Sequence, residues 1–192
     1  MTKIGGNQLI ARFFQNPILR PVWLVLRVWL GIQWFNAGYH KLIDPSGVWV
    51  GPKAGVAIKG FWMKVAGVNE SFQTVAPPLT KYEWYKDFII ALLKGHQEKF
   101  FSYLIVYGEI LAGVGLILGA LTVFAALGGA FMNLNYLLAG TASTNGLMYT
   151  AAIILILAGM NAGFYGLDYF LLWLYRKYLN SDPFTRGRYK KP

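Results

Sequence analysis

The sequence contains no cysteine, two histidines and only eight acidic residues among its 192. Without thiols, disulfide exchange, iron–sulfur clusters and thiolate-ligated zinc are all excluded on this chain. His40 and His96 are too few, and too poorly placed, to give two membrane haems their paired axial ligands. Walker, dinucleotide and zinc-helix motifs are missing, and no internal repeat is evident. No haem, flavin, iron–sulfur cluster or metal is therefore expected on this chain. Charge is also scarce: 14% of residues are charged, where an ordinary soluble domain has roughly 25%. That is too little to cover a water-soluble surface. What is present is apolar: 56% of residues are hydrophobic and 17% aromatic, with a mean hydropathy of +0.42. The class is an all-α membrane protein. The net charge of +10 sits mainly at the chain ends, which points to membrane topology and not to nucleic acid.

Four apolar segments are expected to form a four-helix transmembrane bundle as a single domain. The first, about residues 22–43, follows Pro21, which suits a first helical turn, and is long enough to cross roughly 30 Å of hydrocarbon. The second, 101–121, carries one acid, Glu109. The third, 123–141, carries no charge, and Thr122 leaves almost no loop before it. The fourth, 147–166, belongs to an apolar stretch that continues to Tyr175. As one helix that stretch would run about 43 Å, so a break near Asn161–Gly166 and a following interfacial helix are expected. Residues 1–20 lack an apolar run ending in a cleavage site and read as a tail, not a signal peptide. Lys3, Arg12 and Arg20 at one end, and Arg176, Lys177, Arg186, Arg188, Lys190 and Lys191 at the other, put both tails (1–20 and 176–192) in the cytoplasm of a multi-pass cell-membrane protein. The exported connection, 44–98, mixes both signs of charge. Within it Trp84, Phe88 and Leu92 recur every four residues, the signature of an amphipathic helix lying on the bundle or in the lipid interface. Lys53–Glu70 reads as a second such helix, with Pro77-Pro78 between the two.

On the first segment Arg27, Gly31, Trp34, Gly38 and Lys41 fall on one helical stripe. It is either a packing seam whose cations snorkel to opposite interfaces, or a functional face. An intramembrane Arg needs a partner, and Arg27 could take Glu109, Asp168 or a lipid phosphate. Glu109 is the leading candidate for chemistry. It can serve as a proton carrier beside a quinone, whose reduction requires two protons at the ring oxygens, or as a buried structural partner of Arg27. Small neighbours such as Gly108, Ala112, Gly113 and Gly115 would admit a flat ring or another helix. Asp168, after Gly166, looks like an N-cap. Asn133 and Asn135 point to nearly opposite sides, so at most one faces a given cavity, and Asn135 is the one expected to. With Asn36, His40, Lys41 and residues up to Asn145, it would form a polar, positively biased pocket for a small anion. His40 alone is as readily an ordinary hydrogen-bonding residue.

The same residues carry a family resemblance. Arg27-x3-Gly31-x6-Gly38-x2-Lys41 resembles the opening motif of the DoxX/DoxD membrane proteins. YGEILAGVGLILGALT (107–122) resembles that family's second helix, and MNLNYLLAGTASTN (132–145) the third helix of its DoxD-like members. AGFYGLD (162–168) is similar to the closing Gly-x-x-Ser-Leu-Asp, with Gly166 where Ser is common. The resemblance implies a membrane bundle and, in the best-characterised members, thiosulfate:quinone oxidoreductase activity shared with a DoxA-type subunit that this chain lacks. It then implies Glu109, His40, Lys41 and Arg27 as catalytic or anion-holding groups, and Trp34, Tyr107, Asn135 and Tyr136 as quinone neighbours. The rival expectation is a non-catalytic accessory subunit of a larger respiratory or photosynthetic complex, favoured by small-residue faces such as Gly115-x3-Gly119 and Gly159-x3-Gly163. Transport ranks last, because no inverted repeat is present.

Overall fold

A computed structural model describes residues 12–178, which are helical with connecting turns and one isolated antiparallel bridge between Val68 and Thr74. Most of the basic tails therefore lies outside the described residues. A 3-10 turn, Pro17–Leu19, is capped by the Asn16 side chain, which accepts the Ile18 amide. It leads into α1, Arg20–Leu42. The connection to the next long helix contains α2, Val56–Ala66, and α3, Glu83–Lys94. Then follow α4, Glu98–Leu118, and α5, Thr122–Leu138. After α6, Asn145–Ala158, the chain tightens into the 3-10 turn Gly159–Asn161 and resumes as α7, Leu167–Tyr178. The long apolar C-terminal stretch is thus broken next to Asn161, where its length demanded a break.

Among the described residues, two helical stretches, Pro17–Leu42 and Glu98–Leu118, have the length and composition to cross a membrane, and α5 and α6 are shorter apolar helices. Their outward faces are greasy: Val25, Leu111, Phe124, Phe131 and Leu147 are 62–71% exposed. So many bare apolar side chains on one small chain suit contact with lipid better than contact with water.

Helices α1 and α4 run antiparallel at backbone contact. A Cβ on Gly31 would lie 2.9 Å from the Ile117 amide nitrogen, and one on Gly38 would lie 2.9 Å from that of Ile110. The small residues of the α1 stripe are therefore a packing seam, and Arg27, Trp34 and Gly38 are buried along it. Trp34 reaches across to α5, where its indole lies against Gly129, within a core shared with Leu30, Leu116, Ala126, Ala152 and Leu155.

A second core joins the long connection to the bundle. Here the expected apolar face of α3 needs correction: Tyr85, Ile89 and Leu93 are buried against Ile58, Trp62 and Val65 of α2, whereas Trp84 and Phe88 are 60% and 43% exposed. Both series recur every four residues, so periodicity alone could not choose between them. The choice is made by the Tyr85 hydroxyl, which donates to the Asn135 carbonyl at 3.1 Å and ties α3 to α5. Burial pushes the Tyr85 phenol up to about 12. Since this raises the folded pKa above the usual value near 10, the stabilisation is complete below about pH 10 and is lost as pH rises towards 12. A Tyr85→Phe protein should accordingly lose less of its melting temperature than the parent between pH 9 and about 11.

The turn between α4 and α5 depends on Gly119, whose φ is +64°, and a Cβ there would fall on Nη1 of Arg27. Gly119→Ala combines left-handed strain of about 1 kcal/mol with overpacking of at least a similar size. Thermal melting in detergent should show a destabilisation of about 2 kcal/mol in total.

Candidate functional site

Arg27 and Lys41 sit fourteen residues apart on α1, about 21 Å along its axis, and each anchors a separate polar centre. At the Lys41 end, Nζ donates to Oε2 of Glu109 at 2.6 Å, and the Tyr136 hydroxyl donates to Oε1 at 2.9 Å. The Glu109 side chain is 1% exposed and that of Lys41 21%. Both carboxylate oxygens are thus engaged, and Lys41 is more exposed than the carboxylate it holds. Lys41 also donates to the Ala37 carbonyl at 3.3 Å and lies 5.3 Å from the centre of the Trp49 ring. The α1 seam brings this trio together, because Gly38 lets α1 approach α4 closely enough for Lys41 to reach Glu109.

The trio lines an open cavity of about 450 Å³ bordered by residues of α1, α2, α4, α5 and α6, a volume within the about 300–1,000 Å³ usual for small-molecule sites. Trp34, Trp49, Phe61 and Met148 supply flat or apolar wall. Asn36, His40, Thr141, Thr144 and Asn145 supply polar rim. Asn145 is steadied by donating to the Thr141 carbonyl at 2.9 Å, and Thr141 by donating to that of Tyr136 at 2.7 Å. The expected grouping of Asn36, His40 and Lys41 with the end of the third apolar segment is therefore present. Trp49 and Phe61 were not anticipated. Trp49 lies in an irregular stretch with no periodicity to mark it, and it is positioned from outside by Ser102, which donates to its carbonyl at 2.5 Å.

Several expected site residues lie elsewhere. Tyr107 is 47% exposed, stacks on Tyr103 at 6.2 Å and does not line the cavity. Asn135 turns its amide back to the Phe131 carbonyl at 2.8 Å and packs beside Tyr85, also outside the cavity. Asn133 is fully buried, with neither amide atom hydrogen-bonded among the described residues.

Arg27 does not pair with Glu109. It is buried at the opposite end of the bundle, where Nη2 donates to the Tyr165 carbonyl at 3.0 Å and the Asp168 carboxylate attracts it. Asp168 caps, but not its own helix: its two oxygens accept the Leu121 amide at 2.6 Å and the Thr122 amide at 2.9 Å, closing the first turn of α5. Its own amide donates to the Gly119 carbonyl at 2.7 Å. Gly119, Gly163 and Gly166 leave room for the two charged side chains, since a Cβ on any of them would strike Arg27 or Asp168. This centre is a structural corner that joins α7 to the α4–α5 turn.

Comparison with known proteins gives one family match, to DoxX, over residues 22–142. That span includes both Lys41 and Glu109, as well as Tyr136. No curated protein and no solved structure matches the chain.

Proposed function

The chain belongs to the DoxX family of membrane proteins, and from that premise we propose that it is the membrane subunit of a quinone-linked oxidoreductase of the DoxD type. In this reading α1, α4, α5 and α6 with its 3-10 extension are four crossings, and the basic tails are cytoplasmic. The two shortest, α5 and α6 with its extension, have 17 residues each, at the lower limit for a span. The overall conversion takes two thiosulfates to one tetrathionate with release of two electrons. Quinone accepts these with two protons and leaves as quinol. Electrons pass between the substrates directly, or through a DoxA-type partner subunit.

The observation that carries this reading is a buried carboxylate held between a lysine and a tyrosine on the wall of a cavity with flat aromatic sides. Trp34, Trp49 and Phe61 offer aromatic wall to a flat ring. Lys41 gives two of its three N–H donors to Glu109 and the Ala37 carbonyl and has a third to offer an oxygen that gains negative charge, as electrostatic stabilisation requires, whereas the one O–H of Tyr136 is given to Glu109. Glu109 touches Lys41, so once it has taken up a proton from water it can pass that proton to Lys41 after Lys41 has given one up. Lys41, whose charge Glu109 balances, is the cation that faces an oxyanion from the cavity wall. The test is thiosulfate-dependent reduction of a soluble quinone analogue by the purified chain, alone and with whatever co-purifies. Activity that disappears with Glu109→Gln supports the reading. An inactive chain and assembly, beside a working positive control, would replace it with an accessory role in a larger respiratory or photosynthetic complex.

A further inference from the structure

A second cavity, of about 280 Å³, lies between the start of α1 and α7, at the far end of α1 from Lys41. We propose that it binds the phosphate headgroup of an anionic phospholipid. One cation dominates it. Arg20 Nε donates to Oδ1 of Asn161 at 2.8 Å, and its guanidinium carbon sits 3.5 Å from the centre of the Phe164 ring. Asn161 is itself fixed, donating to the Phe14 carbonyl at 3.1 Å and the Asn16 carbonyl at 3.0 Å. The guanidinium is thus oriented by its Nε and one face. Arg20 forms no ion pair among the described residues, and its two terminal amino groups remain available. Such a fork matches two oxygens of one phosphate.

The rest of the wall says what the phosphate is attached to. Met160, Leu172 and Trp173 are apolar, and Tyr169 adds an aromatic ring with a hydroxyl. A site for free phosphate would surround the ion with donors, whereas here a single fork stands above greasy wall, which suits an amphiphile. The neighbouring surface of α7 agrees: Tyr169, Phe170, Trp173 and Tyr175 are 49–58% exposed, and Phe170 stacks on Trp173 at 5.7 Å. Tyrosine and tryptophan so arranged sit at the headgroup level of a bilayer. Lys177 lies over Trp173 at 4.8 Å and adds positive charge to that rim.

Native mass spectrometry of the full chain, delipidated in detergent and titrated separately with phosphatidylglycerol, phosphatidylcholine and inorganic phosphate, tests this. One phosphatidylglycerol should bind per chain at least about tenfold more tightly than phosphatidylcholine. Arg20→Gln should weaken phosphatidylglycerol about tenfold, and Trp173→Ala, which leaves the Arg20–Asn161 bond in place, should weaken it severalfold. Millimolar inorganic phosphate should not displace the lipid. Equal binding of the two lipids would overturn the proposal, as would displacement by phosphate, which would indicate a free-anion site. Should Arg20→Gln not fold, Trp173→Ala decides: undiminished binding by that variant would also overturn it.

Discussion

Glu109→Gln is expected to lower thiosulfate-dependent quinone reduction by at least about 100-fold, the scale of a lost proton-transfer group, while the purified protein still melts cooperatively. The amide has the shape of the carboxylate but a single acceptor oxygen: it can keep the bond from Lys41, made at 2.6 Å in the parent, while its NH2 donates to the Tyr136 hydroxyl, which donates to Glu109 at 2.9 Å in the parent. What it cannot do is bind a proton and hand it on. Were Glu109 only a buried partner for Lys41, the same change would leave the ammonium with a weaker acceptor. That would lower the melting temperature, yet turnover per folded molecule would persist. Turnover and melting measured on one preparation therefore separate the two roles. Lys41→Ala provides the complementary result: it removes the cation facing the cavity, so KM for an anionic substrate should rise along with the fall in kcat. Normal turnover in both variants would remove the trio from the chemistry.

The helices were legible because their signals are local. Apolar runs, Pro21 and the polar stretch TASTN placed α1, α4 and α5 to within three residues and the start of α6 to within two, but α6 ends at Ala158, eight residues before the expected 166, and the break that the length of the final apolar stretch required comes at Gly159–Asn161. Less local features were harder to read. The face of α3 was set by tertiary contact from Tyr85 to Asn135, and neither of two equally spaced series announces that in sequence. The apolar helices themselves are unequal: α1 and α4 have spanning length, whereas α5 and α6 are shorter apolar helices, ended by the Gly119 turn and the Gly159 break.

For the site, residue types were legible but partners were not. Glu109 stood out as the lone acid of an apolar helix, and Lys41 as a cation on the same stripe as Arg27. Either cation was available to it on type alone. The antiparallel register of α1 against α4, fixed by Gly31 and Gly38 at backbone contact, puts Lys41 beside Glu109 and carries Arg27 to the Gly119 turn. Register depends on packing across helices distant in sequence, so composition and spacing along one helix did not reveal it. The same limit explains Asp168. Its place after Gly166 suggested a cap for the helix it begins, yet its oxygens reach amides of residues 121 and 122.

Asp168→Ala should accordingly disturb a helix that begins 46 residues earlier. Two amides at the start of α5 lose their acceptor, a cap worth about 1 kcal/mol. Arg27, 1% exposed and with Nε and Nη1 already unpartnered, loses the carboxylate that attracts it. Removing one member of a contacting buried charge pair typically costs about 3–5 kcal/mol, reduced here because Arg27 and Asp168 attract without forming an ion-pair contact and Asp168 is itself only half-buried. A total destabilisation of about 3 kcal/mol is expected. Asp168→Asn divides the two contributions: its amide oxygen still accepts one backbone N–H but offers no charge, so its cost should be dominated by Arg27. If melting shows Asn as harmless and Ala as damaging, the corner is a cap alone. If both are damaging, and Arg27→Met in the Asp168→Asn background recovers stability, the buried guanidinium is what makes the carboxylate indispensable. Either variant should leave the Lys41–Glu109 cavity intact, since about 21 Å of α1 separates the two centres, and turnover per folded molecule should then be unchanged.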